Sequence, residues 1–333
     1  MKKPEPTPSP ADLSVVIPQG GNSAALADTL AALAEQRGLR LEVLVADDAP
    51  GTSRGEVTEN FRRQGLNVSV YSLPGEPSPL ASRLRGMELA TAPWLTFMAD
   101  DIVLTGPEAC AEALRTPGDA DILHVLTLAK NRWGLSTLDE ALAPLAEKPL
   151  TGAEIFPAWL DAGCKAPVLW NKFYSQRLYR AATKIPHTLH MAASGDLYLS
   201  AWFFLLAQGY AAVGVPVYEH RPPKKVPPET CAARALDCLR MYLELPSLLT
   251  ARGLPEEQAE RFRQFLRQLV AANGATMCEY LLGGADGGAV VKERLEQVLH
   301  FGTEEEVFLA LAVANGSNAE KLMDVSHILR FSW

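Results

Sequence analysis

The chain has 333 residues, 48% hydrophobic and 21% charged, which is enough for one large domain or two smaller ones with real cores. Its net charge of −8 at pH 7 argues against a nucleic-acid-binding surface, so no nucleic-acid partner is expected. The five cysteines (Cys110, Cys164, Cys231, Cys238, Cys278) are scattered and form no C-x-x-C pair, which reads as reduced thiols in a cytoplasmic protein rather than a disulfide framework.

Residues 1–11 are charged and proline-rich and lack the apolar core of a signal peptide, so they are expected to be a disordered lead-in. LSVVIP (13–18) is a short apolar, β-branched run and reads as a buried strand. The stretch 22–38 has helical periodicity between Asn22 as cap and Gly38 as stop. LEVLVADD (41–48) is a second buried strand, 51–65 a loop and helix, NVSVYSL (67–73) a third strand, 78–92 a helix and PWLTFMADD (93–101) a fourth strand. Continuous apolar strands alternating with helices predict a mostly parallel sheet with helices on its faces.

After residue 105 the pattern loosens. A helix at 107–115 leads to the strand DILHVLTL (121–128), and 131–152 reads as a loop-rich insertion. APVLWNKFY (166–174), a helix at 175–183, a helix from ASGD (193–196) onward and the strand AAVGVPVYEHR (211–221) follow. The most apolar stretch, 199–217, is broken by Gln208, Gly209, Gly214 and Pro216, so it reads as a buried helix and strand rather than a membrane span. PPKKVPPE (222–229) is a hinge, and everything beyond it has helical period. The expected organisation is a lead-in (1–11), an α/β domain (12–225) and an all-α C-terminal region (226–333).

Two strands end in adjacent aspartates, Asp47–Asp48 and Asp100–Asp101. Neighbouring carboxylates repel, so each needs a partner, water or a cation. Parallel sheets bind ligands outside the carboxyl ends of their strands, which is where both pairs fall. The chemical reading is a metal–diphosphate site. The plainer alternative is a solvated turn for the second pair and a cap on the following turn for the first.

These motifs resemble the family 2 glycosyltransferases of the GT-A fold. LSVVIP corresponds to the family's opening strand, and LEVLVADDAPGTS is similar to its E-I-I-V-V-D-D-G-S-T-D strand and loop. SRLRGMELATAPWLTFMADD resembles its A-R-N-x-G-I…F-x-D-x-D-D run. VLWNKFYSQRLY, SGDLYL and VYEHR resemble its downstream W-x-K-L-Y, E-D dyad and closing aromatic strand, so the resemblance spans roughly residues 13–221. The chain departs from the pattern in four places. QGGN replaces the tyrosine-asparagine after the first strand, Leu84 follows Arg83 where the family has asparagine, Ala99 stands at the first aspartate of D-x-D-D, and Gly195 replaces the dyad's glutamate.

The resemblance implies a GT-A, Rossmann-like fold and metal-dependent, inverting transfer from a nucleotide-diphosphate sugar, a UDP-sugar by family frequency. It implies that Pro18, Asp48, Arg83 and Asp100 bind the nucleotide-sugar. Asp48 would accept from the base and Asp100 from the ribose, Asp101 and His220 would hold Mn²⁺ or Mg²⁺, and Asp196 would be the general base. Asp196 has the alternative of capping its helix together with Ser194, His220 that of an idle histidine at a strand end, and Trp170 that of core packing instead of sugar stacking. The acceptor class stays open among glycan, lipid-linked and protein acceptors, with surface polysaccharide synthesis as one setting. The helical C-terminal region is a candidate for acceptor binding, homo-oligomer formation or peripheral membrane contact. A reading from another class is a catalytically degenerate GT-A scaffold that serves as an interaction module.

Overall fold

The computed structural model describes residues 10–18, 23–47, 53–73, 78–99, 102–115, 117–130, 135–220, 227–282 and 288–315. Over these residues the chain divides into two compact units. The first draws on Met1–Trp159, Lys165–Pro186 and Leu199–Pro222, the second on Leu160–Cys164, His187–Tyr198 and Pro223–Trp333.

In the first unit β1 (Leu13–Ile17), α1 (Ser23–Ala34), β2 (Leu41–Ala46), α2 (Ser53–Arg63), β3 (Val68–Tyr71), α3 (Pro79–Leu89) and β4 (Trp94–Phe97) alternate as expected. β1 lies parallel to β2 and to β4, and β2 parallel to β3. β1 and β2 are buried on both faces: Leu13, Val15, Val16, Val43 and Val45 are fully enclosed, which is why they carry apolar runs. α3 packs closely on β1 because residue 86 is glycine. A Cβ there would stand 2.4 Å from Val16 Cγ1 and 2.9 Å from the Tyr71 hydroxyl. That hydroxyl donates to the Ser82 carbonyl on the same helix at 2.7 Å.

The next elements are β5 (Ile102–Leu104), α4 (Ala109–Ala113), β6 (Ile122–Lys130), β7 (Ser136–Leu138), β8 (Leu150–Thr151), α5 (Ile155–Asp161), β9 (Lys172–Ser175), α6 (Gln176–Thr183), α7 (Gly195–Leu206) and β10 (Gly209–His220). Among the described residues the sheet runs β3-β2-β1-β4-β9-β6-β10-β5, with β7 on β6 and β8 on β10. β9 is antiparallel to both β4 and β6, and β6 is parallel to β10, so β4, β6 and β10 point the same way around an inserted reversed strand. The 131–152 stretch, read as loop, contributes β7 and β8, two short pairings with little pattern of their own.

Buried polar groups fix this half of the sheet. Asp121, at the start of β6, accepts from Ser175 and Arg177 and, at 2.7 Å, from the Gln208 amide. Burial raises its pKa, and the donors together outweigh burial, so the carboxyl sits below the ordinary carboxylate value. Lys172 is 1% exposed and donates from Nζ to the Ala166 carbonyl (2.9 Å), the Val168 carbonyl (2.8 Å) and Asn171 Oδ1 (2.6 Å). It therefore holds the turn that precedes β9, where Ala166 adopts φ +48°. The His124 ring, fully buried on β6, lies 2.9 Å from the Tyr210 hydroxyl, 3.0 Å from Asn171 Nδ2 and 3.2 Å from the Leu142 carbonyl oxygen.

The C-terminal helices of the second unit are α8 (Pro228–Thr250), α9 (Glu256–Leu282), α10 (Gly288–Leu299) and α11 (Glu304–Asn315), in agreement with the expected all-α region. Leu236, Met241 and Leu245 of α8 and Phe262, Leu266 and Val270 of α9 form its core. α11 approaches α9 at Gly274, where a Cβ would meet Ala314 Cβ at 2.8 Å and the Ala310 carbonyl oxygen at 2.9 Å. Among the described residues no helix is long and apolar enough to cross a membrane.

Candidate functional site

Because β1, β2 and β4 are parallel, their carboxyl ends share one rim. The register places Ile17 opposite Val45 and Val16 opposite Phe97, so Pro18, Asp47 and Met98 leave the sheet together. Pro18 is buried, and its carbonyl accepts from Arg54 Nη2 of α2 at 3.5 Å. The Asp47 amide donates to the Tyr71 carbonyl at 3.0 Å, continuing the β2–β3 ladder past the strand. Its side chain is 8% exposed and lies against the first turn of α2, where a Cβ on Gly55 would stand 3.4 Å from Oδ2. A carboxylate at a helix N-terminus is favourably placed. Asp47 is thus a buried carboxylate that supports the start of α2. Asp48 lies outside the described residues, as do Asp100 and Asp101. The residues that bracket the second pair are joined directly, since the Ile102 amide donates to the Ala99 carbonyl at 3.2 Å.

His220 reaches the same rim from the other side of the sheet. It ends β10, pairing with Ile102, the residue after Asp101, and with Ala129 of β6. Its ring lies 5.4 Å from that of Trp170, and Nδ1 is 3.6 Å from an Asp139 carboxylate oxygen. A carboxylate beside one ring nitrogen is the usual outer partner of a metal-bound histidine. Imidazole and carboxylate are donor types that Mn²⁺ accepts. Among the described residues alone, no three His, Cys, Asp or Glu side chains form a metal-binding group. Trp170 is 6% exposed and also packs edge-on against Tyr218, so it is largely core while lining His220.

Arg83, on the exposed-to-buried flank of α3, donates from Nη1 to the Pro79 carbonyl of its own helix at 2.9 Å. Asp196 is half-buried in the first turn of α7 and belongs to the second unit. His187, upstream in the same unit, has Nδ1 3.0 Å from the Tyr198 hydroxyl. The structure therefore brings Pro18, Asp47 and His220 to one rim, while Asp196 sits on a separate segment of chain.

Two residues near these positions escaped the sequence reading. Arg54 is a cationic side chain at the β1 end, and GTSRG offers nothing to separate it from a surface arginine. Asp237 of α8 is 0% exposed and accepts from the amides of Ala192, Ala193 and Ser194, just ahead of Asp196. Its one signal is a carboxylate set between Leu236 and Cys238 in α8.

Residues 14–154 match the family model described as glycosyl transferase family 2. Among solved structures, TarS 1–349 of S. aureus aligns over 97% of this chain and 92% of its own, at 16% identity and a TM-score of 0.56. The same protein in complex with UDP-GlcNAc aligns over 96% and 92%, with the same identity and score. The mannosyltransferase PcManGT of Pyrobaculum calidifontis, in complex with GDP-Man and Mn²⁺, aligns over 98% and 89% at 14% identity and a TM-score of 0.50. At these identities the solved structures speak for the fold. No curated protein matches the sequence.

Proposed function

We propose, from the match of residues 14–154 to the glycosyl transferase family 2 model, that this chain is a family 2 glycosyltransferase that transfers a sugar, with inversion, from a nucleotide-diphosphate donor to an acceptor hydroxyl. The observation that carries the reading is the shared rim, where β1, β2 and β4 end together and β10 delivers His220 beside the residue that follows Asp101. Asp48 accepts from the nucleobase edge, Pro18 and Arg83 border the nucleotide, and Asp100 holds the ribose. Asp101 and His220 hold Mn²⁺ or Mg²⁺, which when bound neutralises charge on the leaving diphosphate. Asp196 takes the acceptor proton as the new bond from the acceptor oxygen to the anomeric carbon forms. The bond from that carbon to the diphosphate breaks, and its electron pair leaves with the diphosphate.

The donor is a UDP-sugar in this reading, which the UDP-GlcNAc complex of the TarS neighbour supports by analogy of fold. The acceptor is a glycan, lipid-linked or protein hydroxyl. Free, buried Cys110, Cys164, Cys238 and Cys278 support a reducing, cytoplasmic setting.

The test is calorimetric titration of UDP and GDP into wild type and Asp101→Ala, each with and without Mn²⁺. The expected result is metal-dependent binding of one nucleotide, weakened at least 10-fold by the substitution. Failure of either nucleotide to bind with any divalent metal would overturn the catalytic reading and leave the scaffold alternative.

A further inference from the structure

We propose that Asp237, on the first helix of the C-terminal region, is a positioning residue for Asp196; the proposal rests on the reading of Asp196 as the base. Asp237 Oδ1 accepts from the Ala192 amide at 3.0 Å, and Oδ2 from the amides of Ala193 and Ser194 at 2.7 Å each. Three consecutive backbone N–H groups converging on one carboxylate form an anion nest, and here the anion is a side chain supplied by α8. The last of the three belongs to the residue whose carbonyl begins α7, since the Tyr198 amide donates to the Ser194 carbonyl at 3.1 Å. Asp196 is two residues further on. The backbone that aims it is fixed from outside its own segment, and a side chain on a held helix start keeps a smaller set of directions than one on a free loop.

The carboxylate is itself held. Arg240, one turn along α8, has Nη1 3.6 Å from Asp237 Oδ1 and donates to the His190 carbonyl at 3.2 Å, so α8 grips the segment at both ends. The guanidinium is oriented in turn by Glu306 of α11, with both contacts at 2.7 Å, and by the Phe301 carbonyl at 2.8 Å. This set spans 190–194, α8 and the start of α11 within one unit. A tie that served only stability would not need to converge on the three residues leading into the candidate base. It makes the C-terminal helices part of the catalytic apparatus rather than an appendage.

The experiment combines amide hydrogen exchange with steady-state hydrolysis of UDP-GlcNAc or GDP-mannose on the full chain, whichever donor's nucleotide binds. In Asp237→Asn, exchange at 192–194 is expected to rise, with β1 and β2 protection and nucleotide affinity unchanged. The turnover kcat is expected to fall about 10-fold or more at constant donor KM. Glu306→Gln, which frees Arg240 without touching Asp237, moves both readouts the same way by less and serves if Asp237→Asn does not fold. Unchanged exchange at 192–194 in the folded variants overturns the proposal. So does raised exchange with kcat retained while Asp196→Asn is inactive. Wild-type kcat in Asp196→Asn instead overturns the base assignment itself, and with it the catalytic part of this proposal.

Discussion

At the scale of single residues, one glycine sets how near α3 lies to the sheet. Alanine at position 86 gains about 1 kcal/mol of helix propensity. That gain is outweighed by a contact of 2.4 Å to Val16 on a buried strand that has nowhere to move. Gly86→Ala is expected to lower stability by about 1–2 kcal/mol net, read as a lower urea midpoint at unchanged m-value. An unchanged or raised midpoint would mean that α3 is free to shift. Residues of this kind are only partly legible in sequence. Both strand-end aspartate pairs stand out because carboxylates after an apolar run are chemically odd. That Asp47 is buried against the start of α2 depends on where α2 begins, and no local pattern states that. Asp237 was illegible for a similar reason: its partners are backbone amides more than 40 positions away, and amides carry no sequence signature.

At the scale of elements, β6, β9 and β10 are pinned through His124, and the pin has a pH dependence. Burial first, and the nearby Lys172 charge second, hold the imidazole well below its usual 6.5, so the native ring is neutral. The unfolded ring takes up a proton near 6.5 while the native one resists, so stability is complete above that pH and declines as pH falls below it. Between pH 6.5 and 5.5, where most carboxylates remain ionised, unfolding free energy should drop by about 1 kcal/mol. In His124→Gln that slope should flatten, and an equal slope in the variant would assign the effect elsewhere. The strands of this pinned region mark where sequence reading thinned out. β1 and β2 carry apolar β-branched runs that are almost wholly buried. β9, by contrast, is four residues, KFYS, and is a strand because β4 and β6 stand on either side of it. β5 is three residues following two aspartates, and it exists through its pairing with the end of β10.

At the scale of the whole chain, the mostly parallel sheet and the helical C-terminal region were both legible, because hydrophobic period differs between them over long stretches. The order of strands was not, since strand order follows from long-range pairing that leaves no mark on period. That order carries a consequence for how the protein is made. The segment matched by the family model ends at residue 154, yet the strand that separates β4 from β6 is Lys172–Ser175, and the other neighbour of β6 in the main sheet runs Gly209–His220. A chain cut at 154 leaves β4 and β6 as two open edges with no strand to bridge them, so it should be recovered insoluble while a chain reaching past 220 is not. Soluble, cooperatively unfolding 1–154 would refute this. During synthesis the early strands must wait for these late ones. At about 5–20 residues per second, the interval between the emergence of β4 and that of β9 is several seconds. Through that interval an unpaired, apolar β4 edge is presented to whatever meets nascent chains, which makes this protein a natural client for holding factors at the ribosome.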